Sequence, residues 1–242
     1  MSLSYGDQCV IQPLSLSISA GQSTAIVGPS GAGKTSLLRL LGGGLRPDGG
    51  TVTLGGVKLV DQRGAELSAL RSQVGFIYQD HQLVPSYRVL QNVLTGAVGK
   101  QGLLASLKSV LLPGRSSEAA VHALLERVGI GDKLFAWTHT LSGGERQRVA
   151  MARALYQKPS VLLADEPVAS VDPARAEAII RLLIRVASEE GWGLVVSLHS
   201  PELVRAHFDR VIGLRDGTVI FDRAATAVTD EDFEALYALE GV

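Results

Sequence analysis

The sequence predicts an α/β fold with a parallel central sheet, a flanking antiparallel β-subdomain and an inserted α-helical subdomain. Three observations predict it. Short β-branched runs alternate with helix-like runs over most of the 242 residues, which is typical of parallel α/β proteins. Glycine pairs and Asp-Gly turns between short runs indicate hairpins. Residues 80–156 contain helical runs and hardly a strand, so we expect one domain over 1–242 whose core, 1–79 and 157–242, is interrupted there.

The first part of the chain is expected to supply the antiparallel sheet and to begin the parallel one. Residues 14–18 alternate in hydropathy with a period of two, as a half-buried strand does. Gly55-Gly56 is a hairpin signal between two short apolar runs. The strands predicted here are 10–11, 14–18, 24–27, 51–54, 57–60 and 74–78.

The second part of the chain carries clear helix signals. Val121, Leu124, Leu125 and Val128 lie at i, i+3, i+4 and i+7, so they predict one apolar helix face, which Gly129 closes. Asp-Pro and Ser-Pro pairs indicate N-caps with a proline in the first turn. Further helices are predicted at 142–156, from 172 to 191, from 200 and from 229 to 239, and strands at 161–164, 194–198, 211–214 and 218–221.

Residues 103–112 are a stretch whose role the pattern leaves open. The run is apolar with Lys108 inside it, and Gly102 and Pro113-Gly114 bound it. It predicts either a short helix buried in the subdomain or a surface patch for a partner.

Composition excludes some partners and compartments. The 23 basic and 24 acidic residues give a net charge of -1, which provides no electrostatic footprint for nucleic acid. Mean hydropathy is +0.21, yet no apolar run approaches the roughly 20 residues of a membrane-spanning helix. Such a chain is expected to dock part of its surface on a partner. The single cysteine, Cys9, excludes an internal disulfide, and the N-terminus lacks a secretory signal, so we expect a cytoplasmic protein.

Residues 28–35 read GPSGAGKT, a glycine-rich loop between a predicted strand and a predicted helix. Its glycines let successive backbone N–H groups point at a phosphate chain, and the helix directs its positive end at the same anion. Lys34 can reach the β- and γ-phosphates, and Thr35 can offer a hydroxyl to Mg²⁺. The core is therefore expected to be that of a P-loop NTPase. The predicted nucleotide-contacting residues are Gly28, Pro29, Ser30, Gly31, Ala32, Gly33, Lys34, Thr35 and Ser36.

Two adjacent carboxylates end the apolar run at 161–164. Asp165 stands where a strand end beside a phosphate loop can hold Mg²⁺, directly or through water. Glu166 can face the γ-phosphate and polarise the attacking water. A solvated Asp-Glu turn is the alternative, and the neighbouring P-loop weighs against it.

A second glycine-rich helix start follows at LSGGERQR, residues 141–148. Ser142 and Glu145 have the spacing of a capping box. Gly143 and Gly144 cost helix stability by roughly 1 kcal/mol each relative to alanine, so a well-capped helix alone does not explain them. Bare N–H groups at a helix start make a second anion site.

LSGGERQ resembles the signature motif of ATP-binding-cassette transporter ATPases, and the resemblance covers nearly the whole chain. It implies a head-to-tail homodimer in which the signature of one copy closes over the ATP held by the P-loop of the other. It also implies the cofactors ATP and Mg²⁺. The signature residues it assigns are Leu141, Ser142, Gly143, Gly144 and Glu145.

The same resemblance assigns roles to residues outside the two glycine-rich loops. Gln79 matches a glutamine that senses the γ-phosphate and Mg²⁺ and couples to the membrane subunits. His199 matches a switch histidine on the γ-phosphate, and Tyr5 stands where an aromatic stacks on adenine. Residues 169–172, ending in Asp172, match a loop at the dimer interface. The implied catalytic residues are Glu166, His199 and Gln79, and the implied Mg²⁺ ligands are Thr35, Gln79 and Asp165.

Within the family, several phrases are similar to the ATPase subunits of phosphonate importers, among them DEPVASVDP at 165–173 and VIGLRDGTVIFD at 211–222. The sequence departs from the relatives in two places. Only four residues precede Tyr5, and Asp80-His81 follows Gln79 where relatives tend to carry uncharged residues.

The resemblance therefore implies a peripheral importer ATPase at the cytoplasmic face of the inner membrane, with phosphonate as the solute. It implies transmembrane permease subunits as partners and, indirectly, an extracytoplasmic solute-binding protein, with no nucleic acid. An importer for phosphite or another small solute is an alternative. A soluble cassette protein acting on DNA or the ribosome, and a P-loop kinase or GTPase, are alternatives from other classes.

Overall fold

The computed structural model describes residues 1–100, 103–169 and 171–238. The strands are β1 (Leu3–Tyr5), β2 (Gln8–Ile11), β3 (Ser23–Val27), β4 (Thr53–Leu54), β5 (Val57–Lys58), β6 (Val74–Ile77), β7 (Val161–Asp165), β8 (Gly193–Ser197), β9 (Arg210–Arg215) and β10 (Thr218–Ala224). The α-helices are α1 (Lys34–Leu41), α2 (Gly64–Arg71), α3 (Val89–Leu94), α4 (Leu103–Leu111), α5 (Arg115–Arg127), α6 (Gly143–Tyr156), α7 (Pro173–Glu190), α8 (Pro201–His207) and α9 (Asp230–Tyr237). The predicted α/β fold class is confirmed.

The described chain divides into two compact units. The first contains Met1–Gln62 and Leu163–Val242, and the second contains Arg63–Leu162. The sequence assigned the helical insertion to 80–156, and that assignment stays a prediction. No helix within the described ranges is both long enough and apolar enough to cross a bilayer.

The sheet of the first unit brings three strand ends to one edge. Its strand order is β10-β9-β3-β8-β7, with β3 parallel to both neighbours and β10 antiparallel to β9. In the parallel register Ile26 of β3 pairs with Ser197 of β8. Since carboxyl ends of parallel strands meet at the same edge, the segments that follow β3, β7 and β8 share that edge. β3 and β8 are fully buried, as strands covered on both faces are.

The antiparallel pairs β4 with β5 and β9 with β10 confirm the two predicted hairpins, and β1 with β2 is a further antiparallel pair that the sequence did not predict. The strand predicted at 14–18 is wrong, because that segment is irregular. Leu14 exchanges hydrogen bonds with Met1, and the Arg210 guanidinium donates to the Ser17 carbonyl. The alternating hydropathy of 14–18 therefore reflects alternating exposure along an irregular segment. The strand predicted at 57–60 ends early, at Lys58, because Leu59–Asp61 forms a 3₁₀ turn.

The second unit is mainly helical, as predicted. Val121, Leu125 and Val128 of the predicted apolar face are buried, and Leu124 is half-buried. Leu103–Leu111 forms a helix, α4, that is buried on one face only, so neither predicted alternative, a buried helix or a surface patch, describes the whole stretch. Its Ser106 and Val110 are buried, whereas other side chains on it remain exposed.

The predicted caps of the later helices are present. The Asp172 carboxylate accepts from the Arg175 N–H at the start of α7, and the Ser200 hydroxyl accepts from the Leu203 N–H at the start of α8. Thr229 caps α9, which ends at Tyr237. The predicted end of that helix, residue 239, lies outside the described residues.

Candidate functional site

The P-loop joins β3 to α1 in the first unit. Gly28 has φ 154°, and a Cβ there would collide with the Leu214 carbonyl. Gly33 has φ 98°, and a Cβ there would lie 2.9 Å from the Val10 carbonyl oxygen. Only glycine fits both positions. The loop therefore presents bare backbone next to the N-terminus of α1, which is the arrangement that binds phosphates.

Lys34 is buried and turned back onto the P-loop. Its Nζ donates to the Gly28 carbonyl at 2.9 Å and to the Pro29 carbonyl at 3.0 Å. Burial lowers the pKa of Lys34, and the negative charges of Glu166 and Asp165 raise it in part. A desolvated ammonium held by two neutral carbonyls is suited to exchange them for phosphate oxygens.

Asp165 ends β7 and is buried, with 4% of its surface exposed. The Ser197 hydroxyl, at the end of β8, donates to Asp165 Oδ1 at 2.8 Å. The same hydroxyl accepts from the Glu166 N–H at 2.8 Å. One buried hydroxyl therefore holds both the Asp165 carboxylate and the backbone of Glu166.

Glu166 and His199 contact each other at the sheet edge. Glu166 Oε1 lies 2.7 Å from His199 Nε2, and the two side chains are 22% and 43% exposed. A carboxylate only accepts, so Nε2 carries the proton in this contact. Glu166 has φ 45°, an uncommon conformation that turns its side chain away from the line of β7. The pair combines a carboxylate able to polarise water with an imidazole able to donate to an anion.

A cavity of about 560 Å³ lies beside this pair. Glu166, Ser197 and His199 line one part of it. The rest is lined mainly by apolar side chains from the loop before α7 and from the starts of α7 and α8, together with Glu177, Ser200 and Glu202. Both candidate catalytic side chains are therefore accessible from the cavity.

The second glycine-rich motif begins α6 in the second unit. The predicted capping box is present, because the Ser142 hydroxyl accepts from the Glu145 N–H and the Glu145 carboxylate accepts from the Ser142 N–H. The Ser142 hydroxyl also donates to the Glu145 carboxylate, and the two hydrogen bonds that this carboxylate accepts from Ser142, the backbone one first, lower the pKa of Glu145. Gly143 and Gly144 are exposed, and a Cβ added to either meets nothing within 4 Å. Packing does not require these glycines, whereas close approach of an anion would.

Gln79 is exposed and follows β6 closely in the second unit. His81 and Gln82, which follow Asp80, have φ values of 61° and 44°. The half-buried Arg153 guanidinium of α6 donates to both carbonyls, at 2.8 Å to His81 and 2.6 Å to Gln82. A signature-helix side chain thus holds the strained segment beside Gln79.

Three further predicted residues are Tyr5, Asp172 and Leu141. Tyr5 ends β1 and is 50% exposed. Asp172 caps α7, as described above, and the predicted role of the loop 169–172 includes Ser170, which lies outside the described residues. Leu141, before the signature serine, is buried. The adenine-stacking, interface, catalytic and Mg²⁺ roles given to all these residues stay predictions.

Sequence reasoning missed three residues that the structure brings to the motifs. Ser197 holds Asp165, Arg153 holds the segment after Gln79, and the Tyr237 hydroxyl accepts from the Gly28 N–H at 3.2 Å. A polar residue ending the apolar β8 was a signal for Ser197. Nothing local indicated Tyr237, because it is distant from Gly28 in sequence.

The fold and this site define a P-loop nucleoside triphosphatase. A family model described as "ABC transporter" matches residues 11–169. The chain is 47% identical over 233 residues to the "Phosphonates import ATP-binding protein PhnC" of Anaeromyxobacter dehalogenans, covering 96% of this chain and 46% of that relative. It is 44% identical over 239 residues to the protein of that name from Pseudomonas putida, covering 99% of this chain and 88% of the relative. The chain belongs to the ABC transporter family.

Solved structures agree with this assignment. The dimeric structure of MJ0796, a bacterial ABC transporter cassette, aligns with a TM-score of 0.82 and 29% identity, over 94% of this chain and 96% of that one. A post-hydrolysis state of the same cassette, bound to ADP and Pi, aligns with a TM-score of 0.78 and 28% identity over the same shares.

Proposed function

We propose that this chain is the ATP-hydrolysing subunit of an ABC importer and that the imported solute is phosphonate. The observation that carries the enzymatic part is the 2.7 Å contact between Glu166 and His199 at the sheet edge that also bears the P-loop. The names of the relatives from Anaeromyxobacter dehalogenans and Pseudomonas putida support the solute.

Nucleotide binding begins at the P-loop. The β- and γ-phosphates take the place of the Gly28 and Pro29 carbonyls around Lys34 Nζ, and backbone N–H groups at the start of α1 surround them. Tyr5 stacks on the adenine. Its half-exposed ring is compatible with that role.

The site fits Mg²⁺ that is held mainly by the nucleotide. Asp165 offers an oxygen ligand at the sheet edge that bears the P-loop, and the Ser197 hydroxyl orients its Oδ1. Mg²⁺ in such sites takes one or two protein ligands and completes its shell with phosphates and water. Thr35, Asp165 and Gln79 would hold it, and it would supply charge neutralisation on the phosphates.

Hydrolysis follows when water attacks the γ-phosphorus. The Glu166 carboxylate polarises this water and accepts its proton, the bond to the ADP oxygen breaks, and phosphate leaves. The His199 Nε2–H, which now donates to Glu166, donates to a γ-phosphate oxygen when nucleotide is present. The shared contact keeps both groups aimed at the same point before the nucleotide arrives.

The reaction chamber is completed by a second copy. Ser142, Gly143 and Gly144 of that copy contact the γ-phosphate, and Asp172 with its loop crosses the interface. The exposed N–H groups at the start of α6 support this role. The dimeric state of the MJ0796 cassette supports a head-to-tail dimer here.

We assign the subunit to the cytoplasmic face of the inner membrane, bound to permease subunits through the region of Gln79. An extracytoplasmic solute-binding protein delivers the solute to the permease. The near-zero net charge argues against a nucleic-acid partner.

The test of the enzymatic part is Glu166→Gln. ATP hydrolysis should fall by about 10²–10⁴-fold while ATP still binds, because only the base is removed. Glu202→Gln is the matched control, since Glu202 is an accessible carboxylate lining the same cavity. Unchanged hydrolysis in Glu166→Gln, or an equal loss in Glu202→Gln, would overturn the role of Glu166.

The solute requires a separate experiment. The chain is co-purified with its permease and solute-binding protein, and the binding protein is titrated with a phosphonate, phosphite and phosphate. Tightest binding of the phosphonate supports the proposal. Tighter binding of phosphite or another solute would contradict the assignment of phosphonate. Recovery of ribosomes or DNA instead of a permease would overturn the transport role.

A further inference from the structure

Helix α4 presents leucines to solvent. Leu107 is 54% exposed, Leu111 51% and Leu112, directly after the helix, 74%. The other face of α4 packs inward, with Val110 and Ser106 buried and the Ser106 hydroxyl donating to the Val98 carbonyl. The helix is therefore anchored, and its exposed leucines form a fixed apolar ridge of two adjacent turns, hereafter the leucine ridge.

The sequence around the leucine ridge carries no acidic residue. Asp and Glu are absent from 81–117, whereas the whole chain contains 24 of them. The same segment contains four basic residues, Arg88, Lys100, Lys108 and Arg115. Lys108 lies in α4 itself, Arg115 begins α5, and both are exposed. The ridge is therefore flanked by positive charge, whereas the rest of the chain contains all 24 acidic residues and only 19 of the 23 basic ones.

We propose that the leucine ridge, with Lys108 and Arg115, contacts a bilayer surface rich in anionic lipid. Partly inserted leucines below basic side chains are the arrangement that binds the interface of an anionic leaflet. The membrane setting rests on the proposed function. The charge distribution selects lipid over permease, because cytoplasmic loops of membrane proteins are themselves enriched in Lys and Arg.

The experiment is flotation of the full chain with vesicles of phosphatidylcholine mixed with phosphatidylglycerol, compared with vesicles of phosphatidylcholine alone. The wild-type chain should float preferentially with the anionic vesicles, and added salt should weaken binding. Lys108→Glu and Arg115→Glu should each weaken binding about fivefold or more. The double variant Leu107→Ser/Leu111→Ser should weaken it about tenfold, because less apolar surface is buried.

Two matched variants control for general effects. Ile220→Ser changes an equally exposed apolar side chain on β10, and Lys58→Glu reverses an exposed basic residue on β5. Both should float as the wild-type chain does. ATP hydrolysis by all variants should stay unchanged, so a failure of the Glu166 test and a failure of the lipid test are distinguishable.

Three results would overturn the inference. The first is absence of flotation by the wild-type chain, and the second is equal binding to both kinds of vesicle. The third is a change in the oligomeric state of the Leu107→Ser/Leu111→Ser variant with unchanged flotation, which would assign the ridge to an interface between copies.

Discussion

The hydroxyl of Ser197 donates a hydrogen bond of 2.8 Å to Asp165, and both residues are buried. The contact joins the ends of β7 and β8 at the edge where the phosphate loop lies. It links a residue with no motif of its own to the carboxylate proposed to hold Mg²⁺.

Ser197→Ala should lower the free energy of unfolding by about 1–3 kcal/mol, since the Asp165 carboxylate and the Glu166 N–H both lose a buried partner. It should also raise the Mg²⁺ concentration needed for half-maximal hydrolysis, because Asp165 is no longer oriented. Urea denaturation and Mg²⁺ titration of the hydrolysis rate measure the two effects. Ser72→Ala, which removes an exposed hydroxyl, is the control. Identical behaviour of the two variants would contradict the role of Ser197.

The free energy of unfolding of the nucleotide-free protein should increase with pH, because Lys34 is buried. Burial lowers the pKa of Lys34 below its ordinary 10.5, so between the lowered value and 10.5 the unfolded chain binds more protons than the folded one. The free energy of unfolding therefore increases with pH through that window. Urea denaturation at a series of alkaline pH values should show a smaller increase for Lys34→Met than for the wild-type chain. Equal increases in the two proteins would contradict the inference that burial lowers the pKa of Lys34.

Arg153→Lys should loosen the segment that follows Gln79. A lysine cannot reproduce the forked contact with the His81 and Gln82 carbonyls, so the free energy of unfolding should fall by about 1–3 kcal/mol. Amide hydrogen exchange should accelerate in 80–84. Arg185→Lys, on α7, serves as the control. Unchanged exchange in 80–84 would mean that the guanidinium does not hold this segment.

Tyr237→Phe should destabilise the P-loop. The Gly28 N–H loses the hydroxyl that accepts its hydrogen bond, at a cost of about 1 kcal/mol in the free energy of unfolding. Tyr5→Phe removes an exposed hydroxyl and should have no such effect. Thermal or urea denaturation compares the two variants. Equal stability of both would show that the Tyr237 hydrogen bond does not stabilise the protein.

Local signals made much of the fold and the motifs predictable. The spacing of Ser142 and Glu145 determines a capping box whatever the rest of the chain does, and glycine is required at Gly28 and Gly33 by backbone geometry. At 14–18 period-two hydropathy was the only guide and the prediction failed, because such alternation does not supply the hydrogen-bonding neighbour that a strand needs.

Long-range contacts were beyond sequence reasoning. Ser197 and Asp165 are separated by 32 residues, and Tyr237 and Gly28 by 209. The strand order brings Ser197 to Asp165, and the packing of α9 brings Tyr237 to Gly28. One sequence specifies neither. Residues 103–112 show the same limit, because the helix was predictable but the face left exposed depends on its neighbours in the folded unit.

The shared reaction chamber is tested most directly by mixing two inactive variants. Lys34→Ala disables the P-loop, and Gly144→Asp places a negative charge at the signature without a clash, because a Cβ there meets nothing within 4 Å. In a head-to-tail dimer, a mixed pair contains one chamber with both defects and one with neither. Equal mixing should therefore restore roughly a quarter of the wild-type hydrolysis rate, although each variant alone is inactive. A mixture that stays as inactive as its components would contradict the proposal that each copy completes the site of the other.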